Sequence, residues 1–252
     1  MLGSQIREKT ITMENDSYSV ESLHLSSEQQ KAVEFLTEFS KQLVVMAFLE
    51  KNIPTSPSSL VKELYQVYDE VIAGCLRNGT KLPCKKGCSW CCFLRVKVTP
   101  LEILCMIDYL QSNLKPVELS AFRHRLADTD KTTRGMNGSQ RVYAKKICPL
   151  IVENECLVYP VRPIACRTYH SLDMSDCESS LSDDQRSLRI SPKIFGIGMG
   201  ILTGLTEGLQ IVGLQALMLE LIAGLRMAMD EPRLTRRWLI GESAFSGAEY
   251  IV

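Results

Sequence analysis

Histidine is scarce: His24, His124 and His170 are the only three in 252 residues. With so few, neither a Ser-His-Asp nor a Cys-His catalytic arrangement can be argued from the sequence. A charge of one sign is also lacking, because 29 Lys plus Arg balance 29 Asp plus Glu. That balance argues against a dedicated nucleic-acid binder and against a polybasic membrane protein. The first twenty residues, which include Lys9, Asp16 and Tyr18, lack the positive-then-apolar pattern of an export leader. Their composition predicts a cytoplasmic, reducing location, where clustered cysteine reads as metal-binding or catalytic rather than as a disulfide framework. A dinucleotide fingerprint is missing as well. Gly196, Gly198 and Gly200 place the third glycine one position too early, and no strand precedes them. The longest apolar-periodic segment, from Ser191 to about Met229, is interrupted by Lys193, Glu207, Glu220 and Arg226. No charge-free run approaches the eighteen residues of a membrane span, and none is expected.

Cysteine is what the chain has in quantity. Four of the ten fall in nine residues, at Cys84, Cys88, Cys91 and Cys92, and three more follow at Cys148, Cys156 and Cys166. Thiols two or three residues apart in a loop can turn toward one centre, as a tetrahedral sulfur-ligated metal or an iron–sulfur cluster requires. Neighbours such as Cys91 and Cys92 point to opposite sides of an extended backbone, so one of them packs or joins a second site. Cys166 is the natural fourth ligand for Cys84, Cys88 and Cys91 or Cys92, leaving Cys148 and Cys156 for a second site or a supporting shell. His170, four residues after Cys166, is a lesser candidate. Four thiolates suffice for one [4Fe–4S] cluster, whereas two separate zinc sites need about eight ligands. Lys85, Lys86, Arg95, Arg162 and Arg167 could offset the negative charge of such a centre, or form a solvated rim. Cys75 and Cys105 sit in apolar helical stripes and read as core thiols.

The predicted architecture is mainly α with a few short strands around a Cys-rich metal centre, an α+β chain dominated by helices. Residues 1–24 read as a loose arm, 25–79 as a pair of helices, 80–170 as the cysteine domain and 171–190 as a Ser/Asp-rich surface loop. Residues 191–252 read as a helical segment packed on the cysteine domain. Ser26 or Ser27 with Gln29 or Gln30 caps a first helix, and a second carries Leu60, Leu64, Val67, Val71 and Cys75 as far as Asn78-Gly79. Phe93 to Val98 alternates like a half-buried strand. Thr99-Pro100-Leu101-Glu102 starts a helix, Pro116 opens another, and Gly135 to Gly138 is a loop. Glu153-Asn154 turns a hairpin between Cys148 to Val152 and Glu155 to Tyr159. Gly200, Gly204 and Gly208, four apart, predict close packing against another helix, or dimerisation if the segment lay in lipid. Arg233, Arg236, Arg237 and Trp238 read as a docked surface.

These motifs resemble the bacterial YkgJ-like cysteine-cluster proteins, described as zinc- or iron-chelating domains with a CxxCxxCC knuckle. The matching residues are Cys84, Cys88, Cys91 and Cys92, Cys148-Pro149-Leu150, Cys156 with Val158-Tyr159, and Arg162-Pro163 with Cys166-Arg167. The start of the helix at Thr99-Pro100-Leu101-Glu102 is similar too. The likeness covers roughly residues 80 to 170 and departs in one place: three residues separate Cys84 from Cys88, where the family name implies two. It implies a bound iron–sulfur cluster or zinc. Through relatives similar to flagellin lysine N-methylases, it also implies an enzyme using S-adenosylmethionine as conceivable. Cys84-x3-Cys88-x-Trp90-Cys91 separately resembles the CxxxCx-aromatic-C pattern of radical S-adenosylmethionine enzymes, which need a partial barrel of alternating strands and helices. Three functions are therefore expected to compete. They are a metal-centre protein for electron transfer, sensing or carriage, a protein-lysine methylase, and a zinc-stabilised module whose helical flanks bind a protein partner.

Overall fold

A computed structural model describes residues 25–49, 57–181 and 189–250. The expected arm, residues 1–24, lies outside the described residues, as does most of the later part of the 171–190 segment. The chain is helix-dominated with a few short strands, as its periodicities require. Helix α1 (Ser27–Leu49) begins on a capping box, with Gln29 N donating to Ser26 Oγ at 3.2 Å and Ser26 N to Gln29 Oε1 at 2.9 Å. Helix α2 (Pro57–Arg77) buries Leu60, Leu64, Tyr68, Ile72 and Cys75 along one face. Helices α3 (Pro100–Asn113) and α4 (Pro116–Thr133) start where Pro100 and Pro116 place them, in each case with a glutamate at the third helical position.

Two local readings are corrected. The alternating stretch Phe93 to Val98 forms a strand only at β1 (Lys97–Val98), because Trp90–Phe93 is a 3-10 turn. The loop at Gly135 to Gly138 carries a cap: Asn137 Oδ1 accepts from Gln140 N at 2.9 Å and starts a short helix, α5 (Gly138–Tyr143). Strands β2 (Ile151–Val152) and β3 (Glu155–Cys156) pair antiparallel, Ile151 facing Cys156. Their two turn residues, Glu153 and Asn154, take the positive φ values of 49° and 63° that a tight hairpin demands. Helices α6 (Ile164–Thr168) and α7 (Met174–Ser180) follow.

The apolar segment from Ser191 becomes α8 (Pro192–Ile211), then strand β4 (Leu219–Glu220), helix α9 (Leu221–Asp230) and helix α10 (Leu234–Leu239). The break after α8 falls at Gly213, where φ is 75°. Helix α8 is long and apolar enough to cross a membrane by length and composition alone, more so than its charges implied, yet 67% of that window is buried inside the fold. Its partner is α1. A Cβ at Gly200 would stand 2.9 Å from Val33 O, and one at Gly208 would stand 2.9 Å from Lys41 O. The glycines thus let two backbones approach more closely than any side chain permits. One continuous core links α2, α3, α8 and α9, and β1 pairs β4 across it, Val98 opposite Leu219.

Glu102 ties three of these elements together although it is fully buried. Its carboxylate accepts from Thr99 N at 2.9 Å, from Ile164 N at 2.8 Å and from Tyr65 Oη at 3.2 Å. Burial pushes its pKa up, and the amides of Thr99 and Ile164 pull it back down. Substitution of Glu102 by Ala orphans those buried donors and should cost about 2–4 kcal/mol in urea unfolding. Glu102→Gln should cost less, because its amide oxygen still accepts. Unfolding midpoints equal to wild type in both variants would show that the three elements are held by packing alone.

Candidate metal centre

The knuckle is shaped by its backbone. Gly87 sits at φ 89°, where an L side chain is strained, and Cys88 N donates to Lys85 O at 3.1 Å to close the turn. The 3-10 turn follows, with Cys92 N donating to Ser89 O at 3.0 Å. A single backbone bond then joins the two cysteine blocks: Cys148 N donates to Cys92 O at 2.8 Å. The β2–β3 hairpin carries Cys156 back beside Cys148, and Ile151 N donates to Cys148 O at 3.0 Å.

Cys166 enters from α6, and Arg167 fixes that helix. The Arg167 guanidinium donates to Asp69 at 2.7 Å, to Arg162 O at 2.9 Å and to Pro160 O at 2.6 Å, and lies 4.3 Å above the Tyr65 ring. Tyr68 Oη donates to Arg167 O at 2.9 Å. So Arg167, which the sequence offered as a counter-charge, is spent on clamping the 160–168 segment to α2.

These four pieces enclose a cavity of about 70 Å³ lined by six thiols: Cys88, Cys91, Cys92, Cys148, Cys156 and Cys166. On the order of five waters would fit such a volume. Cys84 does not line it but lies within electrostatic reach of Cys88 and Cys91. Cys75 and Cys105 are buried in the core, away from the cavity, and all ten cysteines are free thiols. His170 is outside the lining too. Burial, with Arg162 nearby, lowers its pKa to about 4, so it is neutral at pH 7. Among the described residues no three His, Cys, Asp or Glu side chains stand in the arrangement that holds a metal ion. A single tetrahedral zinc would need its sulfurs about 3.8 Å apart, given Zn–S bonds near 2.3 Å.

Thiols share the cavity wall with the guanidinium groups of Arg141 and Arg162. Burial pushes Cys148 up to about 12 and also raises Cys156 and Cys166, so these are poor nucleophiles in the absence of a metal. Cys91 is the exception: its contact with Cys92, with Arg162 close by, holds it below the ordinary thiol range, and the same contact raises Cys92.

Arg141 lines the cavity at 1% exposure. Its Nη1 donates to Lys146 O, but Nε and Nη2 are buried with no hydrogen-bond partner, and so is Arg162 Nε. Burying unpaired guanidinium nitrogens is costly unless an anion faces them. Glu220 is the one carboxylate in the lining, and it already accepts from Ala223 N at 2.8 Å. A deprotonated, sulfur-ligated centre would supply the remaining negative charge, and the donor set fits it. Lys86 instead pairs with Glu155 at 3.0 Å on the exposed rim. Arg95 stacks on Tyr250, 3.8 Å from the ring centroid.

No family model, curated protein or solved structure matches the chain.

The expected resemblance to YkgJ-like proteins gains no support from these comparisons. Sequence reading missed Arg141 and Glu220 because neither lies near a cysteine in the chain. It also missed Cys177, which was placed in a surface loop. Asp173 in fact caps α7, accepting from Ser175 N at 2.9 Å, and Cys177 is buried on that helix.

Proposed function

We propose that the chain is a metal-centre protein that binds an iron–sulfur cluster in the six-thiol cavity. The observation that carries this reading is the meeting of six thiols with two arginines that bury guanidinium nitrogens without a hydrogen-bond partner, Nε and Nη2 of Arg141 and Nε of Arg162. Cys92, Cys148, Cys156 and Cys166 come from three separate segments and are the four thiols we assign as ligands. A cluster is favoured over zinc because its ligands cap different irons and stand further apart than four sulfurs on one ion. The thiols surround a cavity rather than converging on a point.

When bound, such a group supplies one-electron chemistry. Arg141 and Arg162 stabilise the more negative, reduced state and so raise the potential. Leu94, Val96 and Leu150 limit water. Of the residues that line the cavity, Gly87 of the knuckle and Asn154 of the hairpin turn are exposed.

Anaerobic purification with assays for iron, sulfide and zinc, together with a visible spectrum, tests the reading. Brown protein with iron and sulfide in similar amounts is expected. A colourless chain holding zinc alone would replace the cluster with a structural ion, and a metal-free chain would end the proposal.

A further inference from the structure

Helix α1 is apolar on two opposite faces, and α8 covers one of them. Val33, Leu36, Ser40 and Val44 are buried, and the backbone seat on Gly200, Gly204 and Gly208 fixes how the helix is turned. On the far side Phe35, Met46 and Leu49 are 68%, 51% and 61% exposed. Ala32 and Gln42 are exposed as well, and Phe39 is half-buried with its ring centroid 6.3 Å from that of Phe35. A helix apolar on both sides belongs between two partners, and α8 accounts for one.

Ala32, Phe35, Phe39, Gln42, Met46 and Leu49 recur at alternating steps of three and four, the heptad spacing of a seam between two helices. Set antiparallel to a second copy, this stripe is its own complement. Ala32 falls opposite Leu49, Phe35 opposite Met46 and Phe39 opposite Gln42, and each pair recurs across the two-fold axis. Small then meets large, and a thioether meets an aromatic ring. A parallel pairing would instead set alanine on alanine and phenylalanine on phenylalanine. No charge lies in the stripe. Of the neighbouring charges, Lys41 pairs with Glu38 and, at 3.6 Å, with Glu207. Gln42 Nε2 donates to Glu38 Oε1 at 2.7 Å, so the one polar member of the seam is already partly satisfied.

We propose that the outer face of α1 docks antiparallel on the same face of a second copy of the chain. The contact would bury roughly 1,000–1,400 Å² over both copies, the lower edge of specific interfaces, so the dimer exchanges with monomer. The inference is independent of the metal-centre reading.

Sedimentation equilibrium of the full chain between about 1 and 100 μM is the test. Wild type should move from the 28.3 kDa of one chain toward twice that mass. Phe35→Glu and Met46→Lys should each stay monomeric throughout, because each puts an unpaired charge into the seam. Combined in one chain, the two new charges stand about 16 Å apart along their own helix but opposite each other across an antiparallel seam. The double variant should therefore dimerise at least about tenfold more tightly than either single one. Far-UV circular dichroism equal to wild type checks that all three variants, changed only at exposed positions, are folded. Wild type that stays monomeric at the highest concentration overturns the proposal, and its co-sedimentation with phosphatidylserine vesicles would give the face to lipid instead. A dimer that Phe35→Glu leaves intact, or that the double variant fails to restore, overturns it as well.

Discussion

Cys166→Ser should lose the cavity's metal and melt well below wild type. The serine hydroxyl does not replace a thiolate as a soft ligand, and on the proposed metal-centre reading ligand binding is coupled to folding. The segments that meet at the cavity share little hydrogen bonding: one backbone bond joins Cys92 to Cys148, and the hairpin is two residues per strand. Without the centre, Arg141 Nε and Nη2 and Arg162 Nε stay buried with no hydrogen-bond partner. A loss of about 5 kcal/mol is expected, which corresponds to a fall of roughly 10–20 °C in Tm for a chain of this size. Cys105→Ser should leave metal content unchanged, since Cys105 lies in the core with its Sγ 3.9 Å from Ser58 O. Scanning calorimetry with and without a chelator separates the two effects. Equal metal in Cys166→Ser and wild type, or a chelated sample that melts no earlier, would mean that the thiols merely pack.

What could be read beforehand follows from how local each signal is. The caps at Ser26 and Thr99 and the apolar stripe from Leu60 to Cys75 depend on residues three or four apart, and the helices form where those spacings put them. The Glu153-Asn154 hairpin is equally local. The strand expected from Phe93 to Val98 failed because alternation over six residues does not outweigh the knuckle's own turn chemistry, which winds Trp90–Phe93 into a 3-10 helix. The thiol clustering was legible from spacing, but its electrostatic partners were not. Arg141 reaches the cavity from α5, and Glu220 reaches it from a strand pair closed only by tertiary contact. Cys177 was hidden by composition: a run of Ser and Asp reads as loop, and Asp173 used one of those residues to cap a helix. Long-range charge pairing leaves no period in a single sequence.

Gly204→Leu should destabilise by about 4 kcal/mol or more, and this tests what the longest apolar helix is for. A Cβ built at Gly204 falls on the Thr37 carbonyl of α1 and 2.9 Å from Ser40 Cβ, so even the first added carbon meets backbone that cannot rotate away. Leucine adds three more, and the cost has to be met by prising α1 from α8. The same type of change elsewhere has the opposite sign. At Gly74 on α2 a Cβ would find only the Arg77 side chain at 3.8 Å, so Gly74→Ala should stabilise by about 0.5–1 kcal/mol through helix propensity. Were α8 not seated against α1, leucine at Gly204 would meet no backbone and the two substitutions would not diverge. Urea midpoints for the pair therefore decide whether α8 serves the core. Since α6 packs on α8 and carries Cys166, the Gly204→Leu variant should also hold its metal more weakly, whereas Gly74→Ala should not.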